Sequence, residues 1–202
     1  MSELGKAIDR IASLLHVELR ARGFTKSART FRLRGEECTQ VVNMQASTSN
    51  MGVGGRFTVN LGVFFPAVAE VLPWPAPKAL KEHNCQLRER LGLLLPDPRD
   101  RWWQVSLDAP VAPIAEEVRE AVVTYGLPWL EARSTLEAGL DSIVHSRRYS
   151  SGLDAAAFCI ALGRLEEAAI YLARARDEFI GKGKDEAADR WLAWGEEHGV
   201  VA

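Results

Sequence analysis

Arg32, Gln45, Asn60, Arg88, Arg90 and Trp102 are the side chains whose types could hold a ligand if the fold brings them together. A guanidinium is a planar fork of donors that also stacks on an indole, so arginines beside a tryptophan suit a carboxylate, a phosphate or an aromatic group. The amides of Gln45 and Asn60 add donors and acceptors. This is a binding set: no catalytic residue and no metal ligand is assigned.

A period of two is what gathers them. Five segments alternate apolar and polar residues, namely RTFRLR (29–34), CTQVVNMQA (38–46), RFTVNLGVFF (56–65), CQLRERL (85–91) and WWQVSL (102–107). Successive side chains of a strand point to opposite faces, so such alternation predicts strands with one face buried and one wet. One face then carries Phe31, Leu33, Val42, Met44, Phe57, Val59, Leu61, Val63, Leu87, Trp103, Val105 and Leu107. The other carries the six candidates together with Arg34, Asn43, Thr58, Gln86 and Gln104. Three fates are open to that polar face: solvation, internal pairing of its arginines under later elements, or ligand binding.

A helix precedes the strands. Leu4, Ile8, Ile11, Leu15 and Leu19 form one stripe, Gly23 supplies a left-handed stop, and the stripe is the natural cover for the apolar face of the sheet. Gly35 to Glu37 suits a hairpin loop. The glycines of STSNMGVGG (47–55) read as a second, flexible hairpin; a phosphate cradle would need a following Lys-Ser/Thr pair and a helix, and neither is present. Prolines 66, 73, 75 and 77 are expected to forbid both a regular helix and a central strand over 66–77 and so make an excursion from the sheet, with Trp74 either a recognition anchor or a lid on apolar surface.

Beyond residue 107 the period becomes helical. Asp108 is the expected cap, Ile114, Val118, Ala121, Val122 and Tyr125 the stripe, and Gly126 the stop. Ser134 to Glu137 has the form of a capping box before Leu136, Leu140, Ile143 and Val144. Residues 156–175 resemble a single tetratricopeptide-like helix pair, with no second copy near a period of 34 residues. A last helix is expected over about 185–197.

Other chemistry finds little support. His83 and Cys85 are at most half of a zinc site, no G-x-S-x-G is present, and Glu36/Glu37 and Glu116/Glu117 read as solvated surface. The three cysteines are not spaced as a disulfide framework, and the charged amino terminus and the lack of a long apolar run predict a cytoplasmic protein without a membrane span. The net charge of −2 is uneven: residues 1–34 hold eight Lys or Arg against three Asp or Glu, residues 150–202 six against ten.

GFTKSARTF, VVNMQAS, RFTVNLGVF, CQLRERLG, DRWWQV and YGLPWLE together resemble the bacterial family called domain of unknown function 4304, over roughly residues 4–135. The resemblance implies one coherent domain there and brings no catalytic residues. By analogy, small bacterial domains of this kind suggest immunity or interaction modules.

The expected architecture is α+β: an amino-terminal helix packed on an antiparallel sheet of about five strands, then a carboxy-terminal helical segment. Residues 1–126 would form the core domain and 127–202 a helical appendage. The expected function is a non-enzymatic protein-interaction module with a protein partner and no cofactor. The alternative is an enzyme or small-molecule binder that holds an anion on the polar face. RNA is disfavoured, because Trp102 is the one well-placed aromatic and no RNP-like run is present.

Overall fold

A computed structural model describes residues 2–75, 77–146 and 152–200. Its strands are β1 (Thr25–Ser27), β2 (Thr30–Arg34), β3 (Thr39–Ala46), β4 (Gly54–Phe64), β5 (Leu87–Arg90) and β6 (Trp103–Ser106). Its helices are α1 (Glu3–Ala21), α2 (Pro66–Val71), α3 (Ala112–Ala121), α4 (Leu127–Glu131), α5 (Leu136–Val144), α6 (Gly152–Ala161), α7 (Leu165–Gly181) and α8 (Asp185–Glu197). The fold is α+β, with the amino-terminal helix, the antiparallel sheet and the later helices in the expected order. Two compact units make up the chain: Met1–Phe64 with Ala79–Ser134, and Phe65–Lys78 with Thr135–Ala202.

In the first unit the strands run β1-β2-β3-β4, all antiparallel, and the far side of β4 pairs β5 along Asn60–Val63 and β6 along Gly54–Phe57. At 11 residues, β4 is long enough to serve both. Strand β1 lies outside the expected set. It is three polar residues turned back on β2 through Ala28, whose φ is +50°, and so short a piece has no readable alternation. The ends of the expected segments also retract: Cys38, Gln86, Trp102 and Leu107 lie just outside their strands.

Ser2 caps α1 through Gly5 N, and Gly23 adopts φ +88° beyond its end. Leu4, Ile8, Ile11, Leu15 and Leu19 are all buried, each worth about 1.5–3 kcal/mol of apolar burial. The helix packs on β1, β3, β4 and β6, and Gly126 lies beside Leu61. Phe31, Val42, Met44, Phe57, Val59, Leu61, Val63, Leu87, Trp103 and Val105 are buried as expected, whereas Leu33 is only half-buried. Leu107 is instead 41% exposed, since it stands past the end of β6.

Two expected signals of the following helices do not act as read. Asp108 is not a cap, because α3 starts four residues later with no side-chain cap. Gly126 does not end a helix: a π turn over Val122–Gly126 carries α3 straight into α4. Its missing Cβ is used for packing, since a methyl there would lie 3.2 Å from Leu91 and 3.5 Å from Leu61.

In the second unit α2 stands where the prolines were expected to exclude a helix, because Pro66 falls at its first position, where no N–H is needed, and the other prolines lie beyond its end. Thr135, not Ser134, caps α5 by accepting from Ala138 N at 3.2 Å, and Glu137 pairs with Arg164 instead of closing a capping box. Helices α6 and α7 form the expected hairpin around Gly163 at φ +72°. Gly152 lets them touch: a Cβ there would strike Tyr171 O. Phe158, on α6, meets Phe65 edge to face at 5.0 Å.

Candidate functional site

The register lays the polar face out in rows. Thr25, Arg32, Val41, Gly62 and Arg88 stand opposite one another across five strands, and the adjacent row is Ser27, Thr30, Asn43, Asn60 and Arg90. Gln45 stands opposite Thr58, and Arg56 opposite Gln104. The candidates therefore share one face, yet strands lie about 4.8 Å apart, so the backbones of Arg32 and Arg88 are separated by about 14 Å.

Two loops of the same unit use these arginines as clamps. Arg32 donates through Nε at 2.7 Å, and again through Nη2, to Leu80 O. Arg88 Nε pairs with Glu82 Oε1 at 2.6 Å, and the Glu82 side chain is only 11% exposed. Both contacts hold residues 80–82 over the sheet. There Gly62 makes room, since a Cβ on it would lie 2.6 Å from Cys85 Sγ. On the other side Arg90 pairs with Asp100, Trp102 Nε1 donates to Asp100 Oδ2 at 3.2 Å, and Thr58 Oγ1 donates to Arg101 O at 2.9 Å. Arg56 and Arg90 both lie against the Trp102 ring, 5.0 and 5.5 Å from its centroid. Although Asp100 is partly desolvated, hydrogen bonds from Arg90 and Trp102 hold its carboxyl below the ordinary range.

The amides are also paired: Asn60 Nδ2 donates to Gln45 Oε1 at 2.8 Å, and Asn43 Nδ2 to Thr30 Oγ1 at 2.9 Å. The Ser47–Val53 hairpin is closed by Asn50, whose side chain accepts from Arg56 N at 2.8 Å and donates to Arg56 O at 3.0 Å. A Cβ on Gly55 would strike Asn50, so the glycine there serves the turn.

An open groove of about 770 Å³ remains, with Thr30, Asn43 and Gln45 as its floor. Lys26 and Arg29 stand on one rim, Lys81, Glu82, His83 and Arg88 on the other, and Asp9 at one end. Four basic residues thus face two acidic ones. Arg29 is spent on Asp9 at 2.6 Å and Arg88 on Glu82, whereas Lys26 and Lys81 form no ion pair among the described residues. Of the six candidates the groove includes Gln45 and Arg88; Arg32, Asn60, Arg90 and Trp102 act around it as supports. Lys26 and Lys81 were missed, one on the unread strand and the other on the covering loop. Gly62 was the readable signal, because a glycine inside a strand marks close approach of other chain atoms.

The three thiols are buried. Burial, with the Glu37 charge, pushes the Cys38 thiol up to about 11, and burial, with Glu167, does the same for Cys159. Cys85 is raised further, by burial and then Glu82. Raised native values mean that stability is fully present below the unfolded value near 9.0 and is lost as pH rises through about 11. The urea midpoint is therefore expected to fall between pH 9 and 11 more steeply than in a Cys38→Ala, Cys159→Ala variant; equal slopes would refute the assignment. Among the described residues no group of His, Cys, Asp and Glu is arranged to hold a metal ion, and no helix is long and apolar enough to cross a membrane.

A helix-backed antiparallel sheet with a clamped, grooved polar face defines an α+β domain. The family described as Domain of unknown function (DUF4304) matches residues 15–132, more than half of the chain, and the chain belongs to that family. No curated protein and no solved structure matches it significantly.

Proposed function

We propose that this protein works by binding another protein, with an acidic segment of the partner lying in the groove between β1 and the 80–83 loop. Immunity-type neutralisation of a toxin is one form of such binding. The supporting observation is the groove itself: an amide floor between Lys26 and Lys81, two cations in no ion pair among the described residues. Opposed charge steers encounter and sets orientation, and it is screened by salt.

The ion pairs of Arg88 and Arg90 dictate which residues to vary. Reversing either arginine would place two acids together, at Glu82 or Asp100, and loosen a loop. Lys26→Glu with Lys81→Glu leaves those clamps intact. Native mass spectrometry of gently purified protein is expected to show an added polypeptide with wild type and none with this double variant, at unchanged circular dichroism. Retention of the polypeptide by the variant would reject the groove. The same concavity supports a second reading, a small anionic ligand; an added mass of small-molecule size in place of a polypeptide would select it.

A further inference from the structure

The second unit has its own concavity, about 440 Å³ in volume, lined by Pro73, Trp74, Arg190, Trp191, Trp194 and Glu197. Helix α8 carries the last four at i, i+1, i+4 and i+7, which gathers them along one side. Trp194 is fixed: it is 5% exposed and its Nε1 donates to Val71 O at 2.7 Å. Trp191 stands edge-on to Trp194, with centroids 5.3 Å apart and planes at 85°. Trp74 stands edge-on to Trp191 in turn, at 5.8 Å and 72°. Three indoles, each turned across its neighbour, thus line one cavity. Trp74 is 60% exposed between Pro73 and Pro75, whose rings stiffen the chain that presents it.

Indole faces are electron-rich and attract cations, most strongly cations that are weakly hydrated. A primary ammonium would lose water hydrogen bonds against rings that cannot accept them well, whereas a quaternary ammonium has none to lose. Charge fixes the rest of the ligand. Glu197 and Arg190 both line the cavity and neither is in an ion pair among the described residues. Seven residues of helix separate their backbones by about 10 Å, so their side chains can reach the two ends of one small molecule.

From this we infer that the cavity binds a small zwitterion in which a quaternary ammonium is joined to a carboxylate or phosphate. The ammonium sits against the indoles beside Glu197, and the anion meets Arg190. This inference is independent of the sheet groove. The volume lies within the usual range for small-molecule sites.

The test is isothermal titration, with intrinsic tryptophan fluorescence in parallel, using glycine betaine and phosphocholine as separate probes. At least one is expected to saturate, and which one does separates a carboxylate from a phosphate ligand. Trp74→Ala, at an exposed position, is expected to weaken binding about tenfold, and Trp74→Phe to restore most of it. Arg190→Met is expected to weaken the zwitterion and leave tetramethylammonium unchanged. Three results would overturn the proposal: no saturation by either probe at on the order of 10 mM, equal binding of 3,3-dimethylbutanoate, the uncharged-head isostere of betaine, or binding of a proline-rich peptide with none of the zwitterions.

Discussion

Phe57→Ala is expected to lower the unfolding free energy by about 3–5 kcal/mol. Phe57 is fully buried, lies opposite Ala46 on β3 and Trp103 on β6, and stacks on the Trp103 ring at 5.9 Å and 20°. Only the four pairs from Gly54 to Phe57 join β6 to β4, so the cavity would open at the seam holding the sixth strand. That strand follows directly on the loop bearing Asp100 and Trp102. Urea denaturation followed by tryptophan fluorescence and circular dichroism measures the loss. Since whole domains are stable by only about 5–15 kcal/mol, the alanine variant can fail to fold. Phe57→Leu keeps most of the volume and is expected to cost less than about 1.5 kcal/mol. A loss below about 1 kcal/mol on truncation to alanine would contradict the packing described.

Gly62→Ala tests the other face of the same strand, at an expected cost of about 1–3 kcal/mol. The new methyl would lie 2.6 Å from Cys85 Sγ and 2.9 Å from Cys85 Cβ, with Glu82 O at 3.4 Å. Something must give. The 82–85 turn is the movable partner, because β4 is held by strands on both sides. Its displacement would carry Glu82 away from Arg88 and disturb the rim that holds Lys81 and His83. The variant should therefore lose partner binding at the groove as well as stability. Adding Cys85→Ala removes the nearest atom and is expected to restore at least half of the lost stability, measured as a double-mutant cycle. Strict additivity of the two substitutions would show that the contact does not limit packing at this point.

Local order along the chain made the faces of the sheet legible. Period two assigned Phe31, Val42, Met44 and Leu61 inward and Arg32, Asn43, Asn60 and Arg90 outward, and the register agrees. The stripe of α1 and its glycine stop were equally plain, because helical spacing and a left-handed glycine are properties of a few consecutive residues. Caps were less readable. Asp108 and Ser134 have the right chemistry, but whether a helix starts beside them depends on which apolar residues the unit can bury.

Folding alone decided what the outward arginines do. The connections 79–84 and 95–101 lie against the polar face with no repeating pattern of their own, so nothing local says that Leu80, Glu82 and Asp100 will meet Arg32, Arg88 and Arg90. Alternation reports the side of a sheet on which a residue stands; it carries no information about a segment arriving from far along the chain. The Trp74, Trp191 and Trp194 cluster makes the same point over more than a hundred residues. Side-chain types set which interactions were possible, and long-range packing chose which arginines became clamps and which lysines were left facing an open groove.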